Sequence, residues 1–242
     1  MRAPLIIGHR GASAVAPENT MAAFREAIAV GANGIEFDVR LASDGVPVVI
    51  HDNTLRRTGG VNQRVADLRW DELNKVDVGS WFAPRFANER VPSLAELFEL
   101  FQPNNLSLYL EMKCDSPVEY RPLAEACSRL INQYSFKARV VVECFQLPAL
   151  QILKEVDPEI KTAALFDRTF TDQSVINRAT EVGAMAVALH HRLARKNLVA
   201  KAKQAGLHVA VWTVDDPIWL DRCRSIGIDA LITNDPARML NS

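Results

Sequence analysis

Short apolar, β-branched runs recur along the chain, separated by helix-length segments whose apolar positions fall three and four residues apart. The strand pattern picks out residues 5–9, 34–39, 107–112, 138–145, 161–166, 186–189, 208–213 and 230–233. The helical pattern covers 20–30, 117–133, 148–156, 172–182, 192–205 and 217–226. Strand and helix in alternation mean parallel strands covered by helices, and eight such strands are the number that closes a (β/α)₈ TIM barrel. Gly31, Gly183, Gly206 and Gly227 each follow a helical run and precede a strand, where a helix C-terminus favours a left-handed residue. An open doubly wound sheet has less support, because no GxGxxG turn follows a strand.

One segment breaks the rhythm. Residues 46–50 read as a strand, yet only a few residues around Asp44-Gly45 separate them from the strand that carries Glu36. A parallel crossover needs about a dozen residues, so this connection is an antiparallel hairpin rising from the barrel mouth. With Asp44-Gly45 as a two-residue loop, Ser43 pairs with Val46 and Asp38 with His51; a bulge would shift that register by one. Residues 53–91 are irregular and carry Trp70, Trp81, Phe82 and Phe86. They read as an insertion, about 52–92, lying over or beside the mouth. Ser93-Leu94-Ala95-Glu96 has the form of a capping box and restarts the regular pattern. The whole chain, 1–242, is expected to be one barrel domain.

The charge balance narrows the partners. Basic and acidic residues are interspersed and the net charge is −1, which leaves no polycation field for nucleic acid or an anionic membrane. A small-molecule substrate is the expectation. The apolar stretch at Leu5-Ile6-Ile7 is too short for a signal-peptide core, and no run approaches a membrane span, so a cytoplasmic protein without stable membrane insertion is expected. Cys114, Cys127, Cys144 and Cys223 form no CxxC pair and fall within strand or helix patterns, as reduced buried thiols do.

In a parallel barrel, chemistry sits at the C-terminal strand ends. His9 and Arg10 end the first strand. Glu36 and Asp38, two apart near the end of the second, point to one side, and Glu111 and Lys113 repeat that spacing on the next barrel strand. With His51 returned by the hairpin, three carboxylates and two histidines converge on one rim. Such carboxylates suit Mg²⁺ or Ca²⁺, and the set lacks the His/Cys pattern of structural zinc. Arg10 and Lys113 beside that cation would bind phosphate oxygens, which implies an anionic substrate. Asn19 and Thr20 stand where a helix N-cap is wanted, and capping is the expectation for both. Trp212 lies near the mouth end of its strand, His190 and His191 are read as rim residues, and His208 begins a strand at the far end.

In order along the chain, His9-Arg10-Gly11, Pro17-Glu18-Asn19-Thr20, Glu36-Phe37-Asp38-Val39, His51-Asp52, Gly79-Ser80-Trp81-Phe82, Val91-Pro92-Ser93-Leu94, Glu111-Met112-Lys113, Trp212-Thr213 and Ile232-Thr233-Asn234-Asp235-Pro236 resemble the glycerophosphodiester phosphodiesterase family. The resemblance implies a TIM barrel that hydrolyses glycerophosphodiesters to sn-glycerol 3-phosphate and an alcohol. It implies metal ligands at Glu36, Asp38 and Glu111, an acid/base pair at His9 and His51, and substrate contacts at Arg10, Lys113 and Trp212. The implied reaction is attack on phosphorus by the neighbouring glycerol hydroxyl, then opening of a cyclic phosphate by water. The chain departs from the family pattern at Cys144, where Ser usually precedes Phe145, and near Arg57-Thr58-Gly59-Gly60, where a Thr is missing. Two alternatives keep the same site: a lysophospholipase D-like phosphodiesterase, which would need an apolar groove such as Trp81-Phe82 hints at, and a non-catalytic phosphate-ligand binding barrel. The second should have lost a histidine or a carboxylate, and none is missing.

Overall fold

The computed structural model describes residues 3–242. Nine strands and ten α-helices follow one another as β1 (Leu5–His9), α1 (Met21–Ala29), β2 (Gly34–Leu41), β3 (Pro47–Val49), α2 (Arg56–Gly59), α3 (Trp70–Leu73), α4 (Leu94–Phe101), β4 (Ser107–Met112), α5 (Tyr120–Gln133), β5 (Val140–Cys144), α6 (Leu147–Val156), β6 (Lys161–Phe166), α7 (Asp172–Glu181), β7 (Ala186–His190), α8 (Lys196–Gln204), β8 (His208–Trp212), α9 (Ile218–Ile226), β9 (Ala230–Thr233) and α10 (Pro236–Leu240). All strands except β3 pair in parallel, and β1 pairs with both β2 and β9, so eight strands close into a TIM barrel. All eight expected barrel strands are present.

The period-two alternation decides what fills each side of the wall. Outward residues such as Ile35, Phe37, Val39, Leu108, Leu110 and Val142 are buried under the helices with Phe24 of α1 and Phe98 and Phe101 of α4. Phe24, Phe37 and Phe101 form an aromatic knot there, with ring centroids 5.8–6.2 Å apart. Inward residues Ile7, Leu165, Ala188, Ala210, Ala230 and Ile232, with Tyr109 against them, fill the barrel axis. Several are alanines because eight converging strands leave little room. Above that layer the inward positions turn polar: His9 lies opposite Glu36, Asp38 opposite Glu111, and Glu111 opposite Glu143.

The hairpin forms, but its register differs by one residue from the two-residue-loop expectation. Val39 pairs with Val49 and Leu41 with Pro47, and Ile50 N–H donates to Asp38 C=O at 3.0 Å. Asp38 therefore faces Ile50, and His51 stands one position beyond. The loop has three residues, Ser43-Asp44-Gly45, closed by Ala42 N–H to Val46 C=O at 2.9 Å. A two-residue type I′ turn needs positive φ at both Asp44 and Gly45; only Gly45 has it, at 78°. Asp44 instead turns its carboxylate to the Trp70 N–H at the start of α3, 3.3 Å away.

Other differences lie at element ends. β5 begins at Val140 rather than 138 because the N–H groups of Arg139 and Val140 both bond back to Phe136 C=O. The helix expected from 192 starts at Lys196, after a turn in which Leu193 bonds back to His190. The segment from 117 opens as a 3₁₀ turn, Pro117–Glu119, before α5. The Ser93 capping box is present, with Ser93 Oγ accepting from Glu96 N–H at 3.2 Å and Glu96 Oε2 from Ser93 N–H at 2.8 Å. The hairpin and insertion share a small core of Val48, Ile50, Leu55, Val65, Leu73, Val78 and Val91 beside the barrel. All four cysteines are free and buried, and no helix among the described residues is long and apolar enough to cross a membrane.

Candidate active site at the barrel mouth

The site begins with a turn that only an unusual backbone can make. Arg10 and Gly11 both have positive φ, 56° and 85°, so the chain doubles back at the end of β1 and Ala12 N–H reaches Ala23 C=O in α1 at 2.9 Å. A side chain at Gly11 would meet the Ala23 carbonyl carbon at 2.6 Å, so glycine is what allows helix and turn to touch. The turn aims Arg10 N–H at Glu36 Oε2, 3.0 Å away. The guanidinium bonds Glu18 at 2.8 Å and lies 3.1 Å from Asp38 Oδ2, in an ion pair whose angle is not that of a hydrogen bond.

Glu36, Asp38 and Glu111 each offer an oxygen, all within 4.8 Å of one another, and all three residues are buried. Burial raises Glu36 well above the ordinary glutamate value, with Asp38 and Glu143 adding repulsion. Burial, then Asp38, lifts Glu111 to about 7. Burial works against ionising Asp38 too, but Arg10 and Lys113 outweigh it and hold Asp38 below the usual range. Lys113 Nζ lies 2.8 Å from Glu111 Oε1 and 3.6 Å from Asp38 Oδ1. Asp38 Oδ1 is buried without a hydrogen-bond partner among the described residues.

This donor set fits a hard divalent cation. Oxygens on opposite sides of Mg²⁺ or Ca²⁺ stand about 4–5 Å apart, the span observed, and mutually repelling buried carboxylates are relieved by positive charge.

Both histidines are fixed through Nδ1. The Asn234 amide nitrogen donates to Asp215 Oδ2 at 2.8 Å, which turns its Oδ1 toward His9 Nδ1, 2.7 Å away. Ser13 Oγ donates to the same oxygen, at 3.0 Å. His9 therefore carries its proton on Nδ1 when neutral, and its Nε2, 3.9 Å from Glu36 Oε2, faces the carboxylates. Burial, then the Arg10 charge, lowers His9 to about 4, so the ring is neutral near pH 7. His51 Nδ1 lies 2.6 Å from Asp52 Oδ1, which leaves its Nε2 free. Burial lowers His51 as well, against the pull of Asp38.

A cavity of about 250 Å³ brings His9, Arg10, Glu36, His51, Glu111, Lys113 and Trp212 onto one wall-to-wall lining, with Glu143, Phe145, Leu165, Thr213 and Ile232. Asp38 sits just behind, fully buried. Trp212 Nε1 donates to Ala188 C=O at 3.2 Å, and its ring meets Phe145 edge-on at 5.6 Å. Every site residue read from the sequence is thus at the mouth. His190 packs on Trp212 outside the cavity lining, and His208 is exposed at the opposite end.

Thr20 caps α1 through its hydroxyl, but Asn19 does not act as a cap; at φ 56° its side chain donates to Asp38 Oδ2 at 2.8 Å and accepts from Asp38 N–H at 3.3 Å. A left-handed backbone turns Asn19 away from the helix and onto the carboxylate. The sequence gives no role to Glu143, nor to Glu18, Arg57 and Asn234, although the last three fall in segments compared with the family. Glu143 left a signal, as the one charged residue in Val140-Val141-Val142-Glu143-Cys144-Phe145, on the inward period.

The fold and the mouth together define a TIM-barrel enzyme whose site sets two oriented histidines against a buried carboxylate cluster that can hold a metal ion. Comparison with known proteins then fixes the family. Residues 9–238 match the Glycerophosphoryl diester phosphodiesterase family. A glycerophosphodiester phosphodiesterase of Caldanaerobacter subterraneus is 35% identical over 98% of this chain and 96% of its own length. A putative glycerophosphodiester phosphodiesterase of Bacillus subtilis is 34% identical over 96% and 94%. Among solved structures, an Oleispira antarctica phosphodiesterase in complex with the product sn-glycerol-3-phosphate superposes with a TM-score of 0.92 at 27% identity, covering 99% of this chain and 96% of that one. The chain belongs to the glycerophosphoryl diester phosphodiesterase family, and is an enzyme of that class, a phosphoric diester hydrolase.

Proposed function

We propose that this enzyme hydrolyses glycerophosphodiesters to sn-glycerol 3-phosphate and an alcohol, with His9 and His51 as proton carriers and one divalent cation, Mg²⁺ or Ca²⁺, held by Glu36, Asp38 and Glu111. The observation that carries this reading is the pair of imidazoles, each held through Nδ1 and both lining one cavity with Glu36 and Glu111. Two such groups can take a proton and return it, as a two-step reaction needs. In the first step one Nε2 removes the proton of the glycerol hydroxyl next to the phosphodiester, and that oxygen attacks phosphorus. The second histidine, entering the step as the imidazolium, protonates the departing alcohol from Nε2 and is left neutral. The roles then reverse: water is deprotonated, the cyclic phosphate opens, and the glycerol hydroxyl recovers its proton.

The bound cation supplies charge neutralisation on the non-bridging phosphoryl oxygens. Arg10 and Lys113 add fixed positive charge at the same place, with their ends already oriented by Glu18 and Glu111, so little reorganisation is needed as transition-state charge develops. Trp212, held by its Ala188 hydrogen bond, offers a flat apolar wall to the glycerol carbons. The relative that holds sn-glycerol-3-phosphate supports this substrate class. The four buried free thiols support action in a reducing compartment, the cytoplasm, and we read 1–242 as a single barrel domain with its insertion at about 52–92.

Purified protein incubated with glycerophosphocholine or glycerophosphoethanolamine should release sn-glycerol 3-phosphate, measured by coupled oxidation. His9→Ala and His51→Ala should each fall at least about 100-fold while keeping the wild-type melting temperature. Undiminished release by either variant would remove that histidine from the chemistry.

A further inference from the structure

Glu143 is 2% exposed, and its Oε2 has no hydrogen-bond partner among the described residues. It comes from the C-terminal end of β5, opposite Glu111 in the register, and lines the same cavity as His9 and Trp212. It stands outside the trio whose oxygens converge. Lys113, the cation closest in sequence register, bonds Glu111 and Asp38 instead. Leaving a buried carboxyl oxygen unpaired is costly, so a partner from the bound substrate is the natural completion.

The surroundings say which part of a substrate that is. Phe145, two residues on along the same face, meets the Trp212 ring edge-on at 5.6 Å, and with Leu165 and Ile232 these supply the apolar part of the cavity lining. A phosphate oxygen would be repelled by a carboxylate. A hydroxyl suits Glu143 in either protonation state, donating to the anion or accepting from the acid. A wider polar groove beyond Lys113, lined by Arg40, Asp52, Asn53 and Asp115, leaves room for the departing alcohol on another side. Glu143 with these apolar neighbours is therefore matched to a short carbon chain ending in a hydroxyl.

We propose that Glu143 determines specificity, binding the terminal hydroxyl of the substrate's glycerol unit, the one that takes no part in the attack on phosphorus. This rests on the phosphodiesterase reading of the same site. It explains why a buried carboxyl group stands beside the carboxylate cluster without joining it, and it makes the free terminal hydroxyl, lost on acylation, the feature the enzyme selects.

The test compares glycerophosphoethanolamine with the matching diester of propane-1,2-diol, which keeps the attacking hydroxyl and lacks only the terminal one. Wild-type kcat/KM should favour the glycerol diester by about 10- to 100-fold, the range for a hydrogen bond to a charged group. In Glu143→Leu that ratio should fall to within about threefold of unity, whereas Glu143→Gln, which still hydrogen-bonds, should retain most of it. Competitive inhibition by sn-glycerol 3-phosphate against propane-1,2-diol 1-phosphate should show the same pattern. A merely structural Glu143 would lower both substrates equally; an unchanged ratio in Glu143→Leu overturns the proposal, and so does a wild-type ratio near one. The wild-type comparison needs no variant, and Glu143→Ala gives the same readout if the leucine protein does not fold. Wild-type enzyme inert on both diesters would instead overturn the phosphodiesterase reading beneath it.

Discussion

Replacing Gly11 by alanine tests whether the turn after β1 carries both fold and site. Two separate costs arise. At φ 85° an alanine must adopt the left-handed region, which costs about 1–2 kcal/mol. Its Cβ must also stand 2.6 Å from the Ala23 carbonyl carbon and 2.7 Å from the carbonyl oxygen. These are backbone atoms of α1, which cannot rotate aside, and relieving that overlap costs about 1–3 kcal/mol more. The sum is about 2–5 kcal/mol, and at about 2–4 °C per kcal/mol for a chain of this size the melting temperature should drop by at least about 4 °C.

Gly31 supplies the control. It has nearly the same φ, 81°, but nothing within 4 Å of an added Cβ, so Gly31→Ala should lose only the conformational part, about 1–2 kcal/mol. Gly31 lies at the other end of α1 from the mouth, and its variant should keep wild-type kcat/KM. In Gly11→Ala the displaced turn draws Arg10 N–H from Glu36 and misaims His9, so kcat/KM should fall about 10-fold or more. Urea or thermal unfolding at one scan rate, beside a steady-state assay, reads both quantities. Equal destabilisation of the two variants would refute the close-contact argument, and full activity in Gly11→Ala would refute the link between turn and site.

Chelation should abolish turnover, with Mg²⁺ or Ca²⁺ restoring it. A cation at 100 times its dissociation constant adds about 2.7 kcal/mol of stability, so the melting temperature should rise on re-addition; a midpoint indifferent to both chelator and metal would count against the carboxylate site. Asn234→Ala removes the acceptor that fixes His9 and should lower kcat by about 10- to 100-fold; a wild-type pH-rate profile and kcat would show that the tautomer is set elsewhere. Asp52 gives a pH prediction: burial opposes its ionisation, but hydrogen bonds from Arg57 and His51 prevail and hold it at about 2, below the usual 3.8. A depressed acid stabilises the fold above its unfolded pKa and loses that stabilisation as pH falls through the folded one. The stability gap between wild type and Asp52→Asn should therefore be widest above pH 4 and close as the pH falls towards 2, and a gap that widens on acidification would reverse the assignment.

The mouth residues were legible because two rules suffice to bring them together: strands alternate faces, and parallel strands end on one rim. His9, Glu111 and Lys113 sit at or just past the ends of β1 and β4, and Glu36 and Asp38 lie within β2 where it leaves the barrel for the hairpin, so knowing where the barrel pairing stops nearly fixes where each side chain goes. The hairpin register was less determined, because Asp44-Gly45 suits both a two-residue loop and a three-residue loop with glycine in the left-handed position. The Asp44 contact with the Trp70 N–H, a tertiary interaction 26 residues away, accompanies the second choice. Asn19 misled for a related reason: its position suits a cap, and only the neighbouring Asp38, from another element, explains its left-handed backbone.

Least legible was the ionic chain that ties the insertion to the site. Glu18 accepts from Arg10 at 2.8 Å and from Arg57 at 2.7 Å; Arg57 Nε reaches Asp52 Oδ2 at 2.7 Å, and Asp52 holds His51 Nδ1 at 2.6 Å. Exposed ion pairs contribute little stability singly, and Arg57 is 42% exposed, so stability is a poor reason for the arrangement. Orientation is a better one. A single guanidinium in the insertion grips the two carboxylates that separately steady Arg10 and His51, so these two side chains share one brace. Nε, Nη1 and Nη2 of Arg57 all take part, a planar fork whose fixed geometry spans two acids, whereas a lysine at this position would bring a single, strongly hydrated point charge without that geometry. The insertion, which in the sequence looks like a break in the barrel's rhythm, thus reaches the candidate site through a residue outside both the carboxylate cluster and the lining of the mouth cavity.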